Sequence, residues 1–125
     1  MKTIIAGSRT IFDFKILKAG LKVFEEFQPE PISEVVCGTA IGVDTLGKTW
    51  ARAQGIPVKK FPAEWERYGK RAGYLRNAQM AEYADALLAI WDGNSKGTKH
   101  MIGLAEEKNL YVVTYNIATL ITRQH

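Results

Sequence analysis

Ala86-Leu87-Leu88-Ala89-Ile90-Trp91-Asp92-Gly93-Asn94-Ser95-Lys96-Gly97-Thr98 is the stretch from which the fold is read. Its first half is an unbroken apolar run and reads as a buried strand. Its second half is a short turn with a glycine towards each end, and Lys99 to Lys108 then carry a helical pattern. A strand, a tight turn and a new helix make a ready anion site. Backbone N–H groups of the turn and the positive end of the helix dipole are expected to converge on one point. Glycine lets a ligand approach the backbone closely, and the small polar residues between Gly93 and Gly97 suit a phosphate or a ribose.

Outward from this stretch the chain alternates strands and helices. Thr3–Ala6 reads as a strand, and Phe14 to Phe27 as a helix with apolar residues at Phe14, Leu17, Leu21, Phe24 and Phe27. Pro29 and Pro31 then break the pattern. Glu34–Cys37 is a second strand, Gly42 to Gln54 a small-residue helix closed by Gly55, and Val58–Phe61 a third strand. Helix is expected over Tyr68 to Ala84 and again over Thr98 to Lys108. Leu110–Tyr115 is a fifth strand and Ile117 to Arg123 a last short helix. Strands separated by single helices imply an α/β fold. Its doubly wound parallel sheet of about five strands is covered on both faces and forms a single domain over residues 1–125. In such sheets ligands bind beyond the carboxyl ends of the strands, where the strand order reverses.

Three loops fall at that edge: Gly7-Ser8-Arg9-Thr10, Gly38-Thr39-Ala40-Ile41-Gly42-Val43-Asp44, and Asp92 to Thr98. Any one of them is ordinary turn chemistry, whereas three on one edge point to a ligand. Neither G-x-G-x-x-G nor G-x-x-x-x-G-K-[ST] occurs, which disfavours ordinary nicotinamide and triphosphate-hydrolysing sites.

Composition narrows the class. The 125 residues are 46% hydrophobic and 24% charged, as in soluble globular domains, and no apolar run approaches the roughly 20 residues of a membrane span. A lone cysteine, Cys37, precludes an internal disulfide, fits a reducing cytoplasmic compartment and reads as a small core residue. The net charge of +4 points weakly to an anionic partner. Arg67, Lys70, Arg71 and Arg76, preceded by Lys59 and Lys60, form a basic cluster that is either a solvated helix face or an anion-facing surface. Two histidines without metal-ligand spacing give no metal site, and no further cofactor is expected.

Taken together and in order, Gly7-Ser8-Arg9, Gly38 to Asp44, Gly73-Tyr74-Leu75-Arg76-Asn77-Ala78-Gln79-Met80 and Trp91 to Thr98 resemble the SLOG superfamily. This Rossmann-like group includes the cytokinin-activating "Lonely guy" enzymes and the DNA-processing proteins. The chain is most similar to its YspA/YpsA-type branch, over roughly Lys2 to Tyr115. The resemblance implies a three-layer Rossmann-like domain binding a phosphorylated nucleotide or a related molecule. By motif, Gly38, Thr39, Ala40, Gly42 and Asp44 would shape a phosphate or ribose subsite. Gly93, Ser95, Gly97 and Thr98 would form a second phosphate loop, Arg76 and Asn77 would face the ligand, and Gly7, Ser8 and Arg9 would close the site. It also implies a homodimer or higher homo-oligomer, for which Met80, Tyr83 and Ile102 offer apolar helix faces.

One position departs from the hydrolases. Three residues after their Gly-Thr pair they carry a glutamate that serves cleavage of the ribose–base bond, and here that position is Met101. A thioether neither accepts a proton nor stabilises an oxocarbenium-like centre. Asp44 and Asp92 remain candidate carboxylates, although Asp44 reads first as a helix cap or ribose partner and Asp92 as a turn-former. Trp65, in the irregular stretch Pro62 to Gly69, is placed to overhang the pocket and stack on a base. Trp50 reads as core, Trp91 as core with an edge on the site, and His100 as an exposed helix residue.

The expected function is therefore retention of a nucleotide-derived molecule, ADP-ribose-like or a cyclic signalling nucleotide. The protein would act as a sensor or a sequestering sponge, of phage or mobile-element origin. The alternative is a nucleotide hydrolase or phosphoribohydrolase using Asp44 or Asp92. A third reading, single-stranded DNA binding through Lys59, Lys60, Arg67, Lys70 and Arg71, ranks below both because interleaved aromatics are few.

Overall fold

Along the fourth strand, β4 (Ala86–Trp91), every residue from Ala86 to Ile90 is fully buried, and successive side chains serve opposite faces. Leu87 and Ala89 join one apolar cluster, while Ala86, Leu88 and Ile90 join another. The same division splits Ile4 and Ala6 from Ile5 on β1 (Lys2–Gly7). A strand covered on both sides needs helices on both sides, and the chain supplies them. The computed structural model describes residues 1–118 and the backbone of 121–124.

The sheet has six strands in the order β3-β2-β1-β4-β5-β6, with β2 (Glu34–Cys37), β3 (Val58–Lys60), β5 (Tyr111–Asn116) and β6 (Ile121–Gln124). The first five are parallel, and β6 runs antiparallel to β5. Helices α1 (Phe14–Phe27) and α2 (Val43–Ala53) cover one face. On α1, Leu17, Leu21 and Phe24 recur at the helical period and are buried, and Asp13 caps the helix by accepting from the Lys15 N–H at 2.9 Å. The other face carries α4 (Ala72–Tyr83) and α5 (Lys96–Glu107), which bury Met80, Met101 and Ala105 against Ile4, Leu87 and Val112. Among the described residues no helix is long and apolar enough to cross a membrane.

Four expectations from the sequence change. The helix anticipated from Tyr68 to Ala84 is divided into a single turn, α3 (Trp65–Tyr68), a 3-10 turn over Gly69–Arg71, and α4. The break falls at Gly69, whose φ of +58° no continuing helix can hold. Helix α5 starts two residues earlier than Thr98, because the Ser95 side chain caps it. The last segment is a strand instead of a short helix. The β5 edge offers unpaired backbone groups, and β-branched Ile121 and Thr122 favour an extended chain pairing there. Met80 and Ile102, expected on a free dimer face, are 2% and 8% exposed core residues. Tyr83 is half-buried, packed on Phe61 with its hydroxyl donating to Glu34.

Two helical glycines test this packing. A methyl on Gly47 of α2 would lie 2.8 Å from Ile5 Cγ2, whereas one on Gly103 of α5 would meet nothing within 4 Å. Alanine gains about 1 kcal/mol of helix propensity at either site, and overpacking costs roughly 1–3 kcal/mol. Gly103→Ala is expected to raise stability by about 0.5–1 kcal/mol and Gly47→Ala to lower it by about 1 kcal/mol. Urea midpoints of the two variants should move in opposite directions, and a shared direction overturns the close approach of α2 to β1.

Candidate functional site

From β1 the chain steps outward to β2 and β3, then returns past β1 to β4 and β5, so the order reverses between β1 and β4. The loops leaving those two strands diverge to opposite faces and open a crevice. A cavity of about 430 Å³ lies there. Gly7, Arg9 and Thr10 line it from the first loop, and Ala40 and Asp44 from the second. Asp92, Asn94, Ser95, Gly97 and Thr98 contribute from the third, and Arg76 and Asn77 from α4. Its floor is apolar, made by Ala6, Met80 and Met101.

Ser8 ties the three loops together from behind the wall. Its hydroxyl accepts from the Asp92 N–H at 3.0 Å, and its carbonyl accepts from the N–H groups of Ile11 at 3.3 Å and Val43 at 3.4 Å. Gly42 permits this junction: its φ is +79°, and a Cβ there would stand 2.5 Å from the Ser8 carbonyl oxygen and 2.7 Å from Arg9 Cα. Thr39 also holds a left-handed φ, +63°, which a β-branched residue adopts only under constraint. The constraint is visible on either side of it. Arg76 Nη1 donates to the Gly38 carbonyl, and the Asp44 carboxylate accepts from the Ala40 N–H at 3.2 Å.

Arg76 is the hub of the polar wall. A methyl on Gly38 would meet the guanidinium, so a side chain there would displace it from this position. Arg76 Nε donates to Asn77 Oδ1 at 3.0 Å, and Asn77 Nδ2 reaches the Gly97 carbonyl at 3.4 Å and His100 Nδ1 at 3.2 Å. One chain of contacts thus runs from the second loop through α4 to α5. Asp44 faces this wall at 6% exposure. Burial pushes its carboxyl up to about 6, against the Ala40 hydrogen bond and the nearby Arg76 and Arg9 charges, which favour the carboxylate. Burial likewise lowers Arg76, countered by Asp44, and a guanidinium remains charged throughout.

The third loop is built differently from the expected anion cradle. Asp92 Oδ1 accepts from the N–H groups of Asn94 and Ser95, each at 2.8 Å, and the Thr98 N–H goes to Ser95 Oγ at 3.4 Å. These bonds, that of Asn94 first, hold Asp92 below the usual carboxylate range. The loop's own carboxylate engages two of its backbone donors, as Asx-turns do. Positive charge in the cavity comes from Arg76 and Arg9.

Of the residues singled out in the sequence, Gly7, Arg9, Ala40, Asp44, Arg76, Asn77, Asp92, Ser95, Gly97 and Thr98 reach the cavity wall. Ser8, Gly38, Thr39, Gly42 and Gly93 stand behind it and shape the loops. Trp65 is not brought to it. With α3 set off by the turn at Gly69, its ring lies beside Gly73 on α4 and stays 51% exposed. Lys59, Lys60, Arg67, Lys70 and Arg71 are exposed, and none of them lines the cavity. Thr10, Asn94 and Met80 line the cavity without having been expected there, although Thr10 and Asn94 sit inside the two loop motifs. His100 is half-buried, edge-on to Tyr74 with centroids 4.4 Å apart; no local pattern announces a partner 23 residues away. Met101, 1% exposed, forms floor at the position where the hydrolases carry glutamate.

The model of the YspA, cpYpsA-related SLOG family matches residues 1–68, which span the first two loops. The Gene 61 protein of Mycobacterium phage D29 is 34% identical over 121 residues, covering 91% of this chain and 95% of its own length. That alignment extends over the half carrying Arg76 and the third loop. No solved structure matches the chain.

Asp44 gives this site a pH signature. Its folded pKa of about 6 lies above the ordinary 3.8, so the folded chain holds the proton more tightly than the unfolded one. Burial of the charged form opposes folding above pH 6, and this opposition fades as pH falls through about 6 towards 4. The rise corresponds to about 3 kcal/mol. Asp44→Asn, which cannot ionise, is expected to exceed the parent in stability at pH 8 by up to that amount. The gap should close near pH 4 in urea titrations; a gap constant across pH contradicts the assignment.

Proposed function

The chain belongs to the YspA, cpYpsA-related SLOG family, and from that membership and the charge pattern of the switch-point cavity we propose that it holds a phosphorylated nucleotide or nucleotide-derived molecule without consuming it. The observation that carries the reading is Arg76, half-buried and pinned by Gly38 and Asn77, lining a cavity beside Asp44. Those two bonds use two of the five guanidinium donors, and the remainder suit a phosphate. Asp44 and Asp92 carboxylates match ribose hydroxyls better than phosphate oxygens, which like charge repels. The volume suits a mononucleotide-sized ligand, within the roughly 300–1,000 Å³ common for small-molecule sites. A floor of Met80 and Met101 contributes packing and no proton chemistry. Similarity to a phage protein supports a phage link, and the role that completes the proposal is sensing or sequestering an ADP-ribose-like or cyclic signalling nucleotide.

Asp44 favours one second reading. A pocket carboxyl with a pKa of about 6 is part protonated near neutrality and is suited to general acid work on a leaving base. Water would add at the ribose C1′ as the bond to the base breaks, with the Asp44 proton passing to the base nitrogen and the proton lost by the water returning to the Asp44 carboxylate.

Calorimetry with AMP, ADP-ribose and cyclic nucleotides separates these readings. At least one is expected to bind more tightly than about 100 μM, and a panel with no such binder removes the nucleotide reading. Arg76→Ala should weaken that ligand by about 30-fold, the loss of a charge-assisted contact of about 2 kcal/mol. Chromatography after long incubation should return the ligand intact. Free base formed by the parent and not by Asp44→Asn selects the hydrolase.

A further inference from the structure

Among the described residues the two most exposed large apolar side chains, Phe12 at 64% and Ile41 at 60%, belong to the first two of the loops that line this cavity. Phe12 follows the wall residue Thr10 by two positions, and Ile41 follows the wall residue Ala40 directly. The loops touch, since the Gly42 backbone abuts Arg9. Each exposed residue also sits beside a buried anchor. Ile11, 4% exposed, precedes Phe12, and fully buried Val43 lies two residues beyond Ile41, both in the cluster beneath α1 and α2. The core thus dictates where the loops run, and leaves Phe12 and Ile41 outside it, next to a polar cavity that offers no aromatic surface of its own.

We propose that Phe12 and Ile41 form an apolar clamp for the planar base of the ligand whose phosphorylated ribose lies against Arg76, so that the site selects nucleobase-bearing compounds over base-free sugar phosphates. This rests on the nucleotide reading and adds to it the surface that recognises the base. A face of phenylalanine and a branched aliphatic chain have no hydrogen-bonding pattern, so the clamp registers that a base is present and is tolerant of which one. The role expected of Trp65 falls instead to residues of the first two loops.

The test compares AMP with ribose 5-phosphate on the parent, Phe12→Ala, Ile41→Ala and the double variant. Both side chains are largely exposed, so the variants should keep the parent's stability. The parent is expected to bind AMP at least tenfold more tightly than ribose 5-phosphate. Each alanine should weaken AMP about five- to tenfold, consistent with loss of one stacking surface, and leave ribose 5-phosphate within twofold. Phe12→Trp should retain AMP affinity. Equal affinity of the parent for the two ligands, or an equal loss of both in the variants, overturns the clamp while leaving the Arg76 site standing. Failure of both ligands to bind removes the nucleotide reading and the clamp together. Unchanged AMP binding in the variants with a changed subunit count by sedimentation also overturns it, and makes the patch a contact between copies.

Discussion

The contact of the Arg76 guanidinium with the Gly38 carbonyl is the constraint around which this site is organised. The guanidinium lies where a side chain at position 38 would stand, and the contact joins α4 to the loop after β2. A half-buried cation needs a countercharge, and Asp44 supplies one from the first turn of α2. The compensation is incomplete, because Asp44 remains well above an ordinary carboxylate despite two nearby arginines. Desolvation outweighs the Coulombic gain, as in many buried charge arrangements.

That arrangement is tolerated because the sheet beneath it is secure. The clusters on its two faces contain fully buried Ile, Leu and Val from β1, β2, β4 and β5. A penalty of about 3 kcal/mol at Asp44 is a large share of the roughly 5–15 kcal/mol that separates folded from unfolded domains. Thr39 in the left-handed region belongs to the same pattern, with local cost concentrated beside the cavity.

Local patterns were readable wherever one period or one cap decides the outcome. The helix Phe14–Phe27 and the strands Glu34–Cys37 and Ala86–Trp91 appear with the bounds their apolar spacing predicts. What escaped depends on contacts between distant segments. The pairing of residues 121–124 with β5 is decided by an open sheet edge, which no helical or strand period in that segment reports. Asn77 meeting His100, and Ser8 bonding the Asp92 amide across 84 positions, have no local signature either. The Asp92 loop is the opposite case. Its composition suits an anion, yet Asp-Gly-Asn-Ser equally suits a carboxylate that satisfies its own turn, and proximity favours the internal partner.

The contrast between Met101 and Asp44 bears on chemistry. Both line the cavity, from opposite sides of the sheet's switch point, and both are almost wholly buried. The Met101 thioether itself offers no proton acceptor to the cavity, and the carboxylate on that side is Asp92, engaged by the Asn94 and Ser95 amides. Asp44 has an elevated pKa, but its oxygens already serve the Ala40 amide and face Arg76, and that engagement stabilises the loop. An acid committed to holding the wall is poorly free to trade protons with a substrate. One carboxylate anchors the second loop, another closes the third, and Met101 presents a thioether to the cavity floor.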